Sequence, residues 1–434
     1  FIPFPPFCTM SSSSCIFRLS LRLFGLAFLL STLPAVFSLR TNAQPLTADT
    51  PAATAATLDT AQSRTLRLEV EGMAFFHDNE FDGTISKGYS LPGFRVQPRL
   101  VYQPLPHLRL EGGFHAQVYE GAGKYPNYAF HDIATWKGTQ WQEGAHLLPL
   151  LRATARLSRS ATLVLGQVYG STHHDLSLPL YNPELALSAD PEMGAQLLVD
   201  TRRWQMDAWV DWQSFIFEQD THQEAFTVGM THRLWLTPRA HRSFTLSLPA
   251  RLLVQHRGGE QDLPSLNLGV QTLSNASLGL AARWERPSGA LRALDAEASA
   301  LVSYQQAGRL WPWTSGGAGW LSLTAYWRSG WRTQLGLLYA HRFVSLYGAP
   351  FFGALSLKEK GGRFSYMGTG YVGAEYARSL GAGYSWGAHV YLYLTRQGRL
   401  TFPDARPAQA ERWGNAFSFG LFLRFRPSFL LKRW

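Results

Sequence analysis

The chain has 434 residues and a formal charge of +10, yet only 16% of its residues are charged, 14% are aromatic and 39 are glycine. Soluble domains carry roughly 25% charged residues, so the balance suits a transmembrane barrel better, and the scattered basic residues give no nucleic-acid footprint. The two cysteines, Cys8 and Cys15, both lie near the N-terminus, which excludes a secreted fold stapled by disulfides.

Residues 1–43 read as upstream residues and a cleaved signal peptide starting at Met10. Arg18 and Arg22 form a positive region, Leu23 to Leu30 an apolar one, and Thr41-Asn42-Ala43 a small-residue cleavage site. The apolar run is too short to span a bilayer, and no second run is long enough either. An exported chain without membrane helices can enter a membrane again only as a closed barrel. Residues 44–64, rich in Ala and Thr, carry no hydrophobic period and are expected to form a flexible periplasmic lead-in.

From residue 65 to 434 a single outer-membrane barrel is expected. Alternating segments recur near 65–77, 94–103, 107–119, 147–157, 161–170, 193–201, 204–218, 223–236, 243–256, 276–286, 291–305, 317–328, 331–343, 368–378, 382–395 and 413–426. Period-two alternation is the signature of a strand with two unlike faces. Trp204 to Trp235 is typical: Met206, Ala208, Val210, Trp212 and Ile216 share one face, and Gln205, Asp207, Asp211 and Gln213 the other. Trp209, Phe215 and Phe217 break its pattern. Its connection is short and its arms long, so this hairpin is expected to project beyond the membrane.

Connections sharpen the reading. Those after even segments are short, such as Pro104-Leu105-Pro106, Arg202-Arg203 and Ser329-Gly330; most after odd segments are long, such as 120–146, 171–192 and 344–367. Alternating short turns and long loops are what an up-and-down barrel with periplasmic turns and extracellular loops requires. The fold class is therefore all-β: a transmembrane antiparallel barrel of about sixteen strands (roughly 14–18). Trp204, Trp284, Trp327 and Trp331 lie near turns, where an aromatic girdle meets headgroups.

The chain closes on Phe417, Phe419, Leu421, Leu423 and Phe425, with Pro427 to Trp434 beyond. Here it resembles bacterial outer-membrane barrels of the porin class, whose last strand alternates apolar residues, ends in an aromatic and is read by the outer-membrane assembly machinery. The resemblance is architectural, covers about residues 65–426, and implies a Gram-negative outer-membrane location among lipid and lipopolysaccharide.

Inward positions carry both signs of charge. The candidate pore-lining set is Arg95, Arg99, Arg109, Glu111, Arg152, Arg156, Asp207, Asp211, Asp295 and Glu297. A basic wall on segments two to four and Asp295 and Glu297 on segment eleven would face each other in a sixteen-stranded ring. The transverse field between them would align small polar solutes; local pairing through Glu111 is the plainer outcome. Loop aromatics (Tyr125, Tyr128, Phe130, Trp136, Trp141, Trp311, Trp313, Tyr347, Phe351, Phe352) suit either surface glycans or loops folded inward.

Three motifs suggest chemistry. Gly368-Thr369-Gly370-Tyr371-Val372-Gly373 matches G-x-G-x-x-G, but the period of two continues and no helix follows. His173-His174-Asp175 places neighbouring imidazoles on opposite sides of an extended chain, so no metal site is expected. Ser171, His173 and Asp175 show no orienting third group for catalysis. The sequence thus predicts a non-enzymatic barrel without cofactor that passes small polar solutes; the alternative is a surface glycan- or polymer-binding or export barrel with a loop-plugged lumen.

Overall fold

The computed structural model describes residues 51–434 except 82, 123–141, 216–222, 240–242 and 260–268. Sixteen strands are built in chain order: β1 (Thr65–Phe81), β2 (Tyr89–Leu105), β3 (Leu108–Ala122), β4 (Gln142–Arg156), β5 (Ala161–Gln167), β6 (Met193–Asp200), β7 (Trp204–Ser214) and β8 (Ala225–Trp235). Then follow β9 (Phe244–Arg257), β10 (Gln271–Glu285), β11 (Leu291–Ala307), β12 (Ser315–Trp327), β13 (Trp331–His341), β14 (Met367–Gly381), β15 (Tyr384–Gln397) and β16 (Arg412–Phe425, resuming as Ser428–Arg433). Each pairs antiparallel with its predecessor, and β16 returns to β1, with Phe81 opposite Ala416 and Gly72 opposite Phe425. The result is a closed antiparallel up-and-down barrel of sixteen strands.

Residues 428–433 are not a tail beyond the last strand. They pair with the start of β1, Thr65 opposite Arg433 and Glu69 opposite Ser428. Pro427 cannot donate to a ladder and marks the break between the two halves of β16. In the hairpin, β7 and β8 are 11 residues each, and the tip expected to project, 216–222, lies outside the described residues.

The outer face is apolar and exposed at mid-height, as at Leu147 (69%), Leu278 (63%) and Leu337 (62%). The inner face departs from simple alternation. Trp209, Leu253, Leu273, Leu301 and Trp320 point inward and are buried, because two long connections, 168–192 and 342–366, fold into the bore and bring their own hydrocarbon. Leu180, Tyr181, Leu185, Phe343, Leu346, Phe351 and Phe352 join the wall residues in one core. Polar wall groups satisfy the inserted backbone: Asn275 donates to Val344 O at 2.8 Å and accepts from Leu346 N at 2.7 Å. The two insertions meet where Asn182 N donates to Tyr347 O at 2.7 Å.

Trp209 breaks the alternation of β7 for a specific reason. Its indole stacks on the His174 ring at 3.5 Å between centroids and 8° between planes. Gly229 on β8 leaves it room, since a Cβ there would come 2.0 Å from that indole. His174, at the end of a 3-10 turn (Ser171–His174), meets Asp207 Oδ2 through Nδ1 at 2.7 Å and Glu192 Oε2 through Nε2 at 2.9 Å. Burial opposes its charge, but the two carboxylates outweigh that and push its pKa up to about 10. A buried imidazolium thus pins the first insertion to the wall.

The barrel mouth at the short-turn end is occupied as well. Of the expected lead-in 44–64, residues 51–64 are described; they form a one-turn helix α1 (Ala52–Ala55) and a 3-10 turn rather than a structureless stretch. Ala52 and Ala56 are buried against Val164 and Leu198 of the inner wall and Tyr169 of the first insertion, and Gln103 donates to Asp59 O at 2.9 Å.

Two outcomes follow. Leu278→Arg, at the middle of the outer face of β10, should cost about 2–4 kcal/mol of folding, and Trp284→Arg, on the same face near a turn, about 0–1 kcal/mol for the charge itself; urea unfolding in vesicles measures both. The His174 contribution is complete below its unfolded pKa of about 6.5 and is lost as pH rises through about 10. Hydrogen exchange across 171–192 should accelerate over that window, and His174→Gln should flatten the dependence.

Candidate functional site

All ten charged residues expected to line a pore lie on the inner face, but they meet neighbours rather than an open channel. Glu111 collects three guanidinium groups: Arg109 at 3.1 Å, Arg152 at 3.2 Å and Arg99 at 3.6 Å. Arg95 donates to Ala186 O and Arg156 to Leu58 O, both on inserted backbone. Asp207 holds His174, and Asp211 accepts from Met193 N at 3.0 Å. Across the barrel, Asp295 pairs with Arg283 at 2.9 Å and Glu297 with Arg251. The expected wall-to-wall field is therefore divided among local groups, since a charge in a low-dielectric lumen is stabilised most by its nearest partner.

The remaining motifs sort similarly. Gly368 to Gly373 lies in β14, as the continuing alternation requires. His174 is held between Asp207 and Glu192, and Asp175 binds Arg233 at 2.7 Å. Trp311, Tyr347, Phe351 and Phe352 are buried in the core, so these rings fold inward instead of facing glycans; 125–141 lies outside the described residues.

A different constellation emerges where the middle of β15 and β16 meets the later part of β1. Alternation along β1 sends His77 and Asn79 inward, both 3% exposed. His389 on β15 and Ser418 on β16 sit beside them because β16 pairs with both strands. Glu184 comes from the first insertion, immediately before the short helix α2 (Leu185–Ser188). His77 Nε2 lies 3.0 Å from Glu184 Oε2 and 3.0 Å from Asn79 Oδ1. Asn79 donates to Glu184 Oε2 at 2.7 Å, Ser418 donates to Asn79 Oδ1 at 2.6 Å, and Tyr89 donates to Glu184. His77 Nδ1 and His389 Nε2 are 2.7 Å apart.

Charge fixes the direction of these bonds. Burial raises the cost of ionising Glu184, but hydrogen bonds from His77, Tyr89 and Asn79 hold its carboxyl below the usual range. An ionised carboxylate only accepts, so His77 carries its proton on Nε2. In neutral His77 the other nitrogen then accepts from His389 Nε2, which leaves His389 Nδ1 with a lone pair. That buried nitrogen has no hydrogen-bond partner. The arrangement is a carboxylate orienting two imidazoles in series, ending in a base.

A void of about 20 Å³ adjoins the chain, bordered by His77, Glu184, Ser418 and, on the second insertion, Pro350 and Phe351. That is room for one water. Among the described residues, no group of three or more His, Cys, Asp or Glu is arranged to hold a metal ion. The sequence reading stopped the first strand at His77 and so missed this site. The signal was present, since alternation runs on through Asn79 and Phe81, but the partner Glu184 is 105 residues from Asn79 and no spacing rule links them.

Comparison with known proteins adds two findings. Among solved structures, OmpT of Vibrio cholerae in its trimer form shares 9% identity over 83% of this chain and 99% of that one, with a TM-score of 0.44. OprD from Pseudomonas aeruginosa shares 10% over 86% and 96%, at 0.40, and the anion-selective porin from Comamonas acidovorans 9% over 83% and 98%, at 0.39. No curated protein matches. A family description, Lipid A 3'-O-deacylase-type, matches residues 58–434, the whole barrel. This enzyme family overturns the expectation of a non-enzymatic barrel; polar chemistry that forms only when an inserted loop meets the wall leaves no local motif in the sequence. The chain belongs to the Lipid A 3'-O-deacylase-type family.

Proposed function

We propose that this barrel is an outer-membrane hydrolase that removes an acyl chain from a lipid A-type glycolipid. The observation that carries the reading is the Glu184–His77–His389 chain, lying where β1 and β15 flank β16 within a chain whose family is named for cleaving an ester at a sugar oxygen. In such a reaction a base removes a proton from water as its oxygen adds to the ester carbonyl, and the proton returns to the departing sugar oxygen. A proton taken at His389 Nδ1 lets the shared proton pass to His77 Nδ1. Positive charge then comes to rest on His77 against Glu184, where it is best stabilised.

Open passage of small polar solutes, the expectation from the lumen charges, has less support. The two insertions bring apolar side chains into the bore, and α1 lies in the mouth at the short-turn end.

Incubation of the purified barrel with a fully acylated lipid A in mixed micelles, read by mass spectrometry, is the test. The wild-type protein should release one acyl chain. Glu184→Gln and His389→Phe should each slow release by about 10²-fold or more while the barrel still folds, as judged by heat-modifiable electrophoretic mobility. A folded wild-type protein that leaves every acyl ester intact would refute the reading.

A further inference from the structure

The short connections gather charge of one sign. Across residues 157–160, 200–203, 236–239, 285–292, 327–331 and 378–383, arginine occurs eight times and an acid twice, at Asp200 and Glu285. Antiparallel pairing of each strand with its predecessor puts all six segments at one end of the barrel. Asp200 pairs with Arg239 and Glu285 with Arg283. Among the described residues, Arg159, Arg202, Arg203, Arg286, Arg328 and Arg378 are exposed and enter no ion pair. At the opposite end, by contrast, Arg406 meets both Asp404 at 2.9 Å and Glu359 at 3.6 Å.

Three cations at the short-turn end lie along the outer face. The Arg286 guanidinium carbon is 5.3 Å over Trp284, and Lys432 Nζ, in the resumed part of β16, is 4.8 Å over Trp434. Arg378 stands opposite Trp386 in the ladder. Trp284 continues the row of Leu278 and Leu280, and Trp386 that of Val390 and Leu394, all exposed on the outside. An indole that ends an apolar belt sits where hydrocarbon gives way to headgroups. A long basic side chain beside it keeps its stem on apolar surface and its charge at the level of the phosphates.

We propose that the short-turn rim binds anionic phospholipid headgroups around the barrel. Its cations follow one another around the ring, from the β4–β5 turn to the β14–β15 turn, which fits an annulus of lipid; a folded acidic partner would meet one arc. Cations held beside a membrane attract anionic lipids, and salt screens that attraction. The inference rests on a membrane setting for the apolar outer face, and it stands whether or not the barrel cleaves an ester.

Electron spin resonance of spin-labelled lipids tests it, with the full chain in mixed phosphatidylcholine and phosphatidylglycerol vesicles. At low salt phosphatidylglycerol should associate with the protein more strongly than phosphatidylcholine by about threefold or more, and high salt should abolish the difference. The combined variant Arg286→Gln, Arg378→Gln and Lys432→Gln should remove most of the preference, whereas Arg286→Lys, Arg378→Lys and Lys432→Arg together should retain it. Lys360→Gln, Arg406→Gln and Arg412→Gln, at the loop end, should leave it nearly unchanged. Heat-modifiable mobility reports folding, and if the combined glutamine variant does not fold, Arg378→Gln and Lys432→Gln singly carry the measurement. Equal association of the two lipids, a preference unmoved by the glutamine substitutions, an equal loss in the loop-end variant, or binding of polyglutamate by the solubilised barrel in place of any lipid preference would each overturn the proposal.

Discussion

Hydrocarbon offers no hydrogen bonds, so a sheet in a membrane cannot keep a free edge. Everything in this molecule depends on β16 reaching β1. The seam is made in two pieces, Ala416 to Phe425 against the upper part of β1 and Ser428 to Arg433 against its lower part. The junction at Arg426 and Pro427 remains tied to the seam: Val70 N donates to Pro427 O at 3.0 Å, and Arg426 bonds Glu71 at 2.7 Å. Closure at that seam also places Ser418 beside Asn79 and His389 beside His77, so the constraint that completes the barrel also assembles the polar chain.

A ring of sixteen strands encloses more space than wall side chains can fill. Here two connections of the chain take up that space. Their insertion carries a demand, because a loop brings unpaired backbone groups that a dry interior must satisfy. The wall supplies partners at Asn275 and Ser303, and the insertions supply one another at Asn182 and Tyr347. The first insertion is held by charge where apolar packing gives way, at His174 between Asp207 and Glu192. A buried ion pair is weak evidence for stability but good evidence for specificity of position. In this lumen it fixes where Glu184 arrives, ten residues further along the same insertion.

The wall was legible in the sequence because its rule is local. Period-two alternation and the parity of short and long connections place Val210 and Leu278 towards lipid and Asp207 and Arg251 inward without reference to any distant residue. What fills the wall was not legible, because it depends on contacts between segments far apart in the chain. Trp209 was an unexplained exception until His174 lay across its face, and the inward Trp320 meets Phe352 of the second insertion edge-on. The same limit hid the candidate site: His77 and Glu184 are unremarkable apart, and only the fold of 168–192 makes them a pair.

This separation between wall and contents explains how a porin-like outline and an enzyme family can describe one chain. Strand number, tilt and an apolar belt are answers to the bilayer, and they are shared by barrels with unrelated tasks. Chemistry depends instead on polar groups held out of water at fixed distance, and a wide barrel provides that only if its own loops exclude the solvent. Filling the bore therefore removes an open path while creating the low-dielectric surroundings in which a carboxylate can orient an imidazole pair. On that argument the barrel is the frame, and the two insertions are what bring polar groups together inside it.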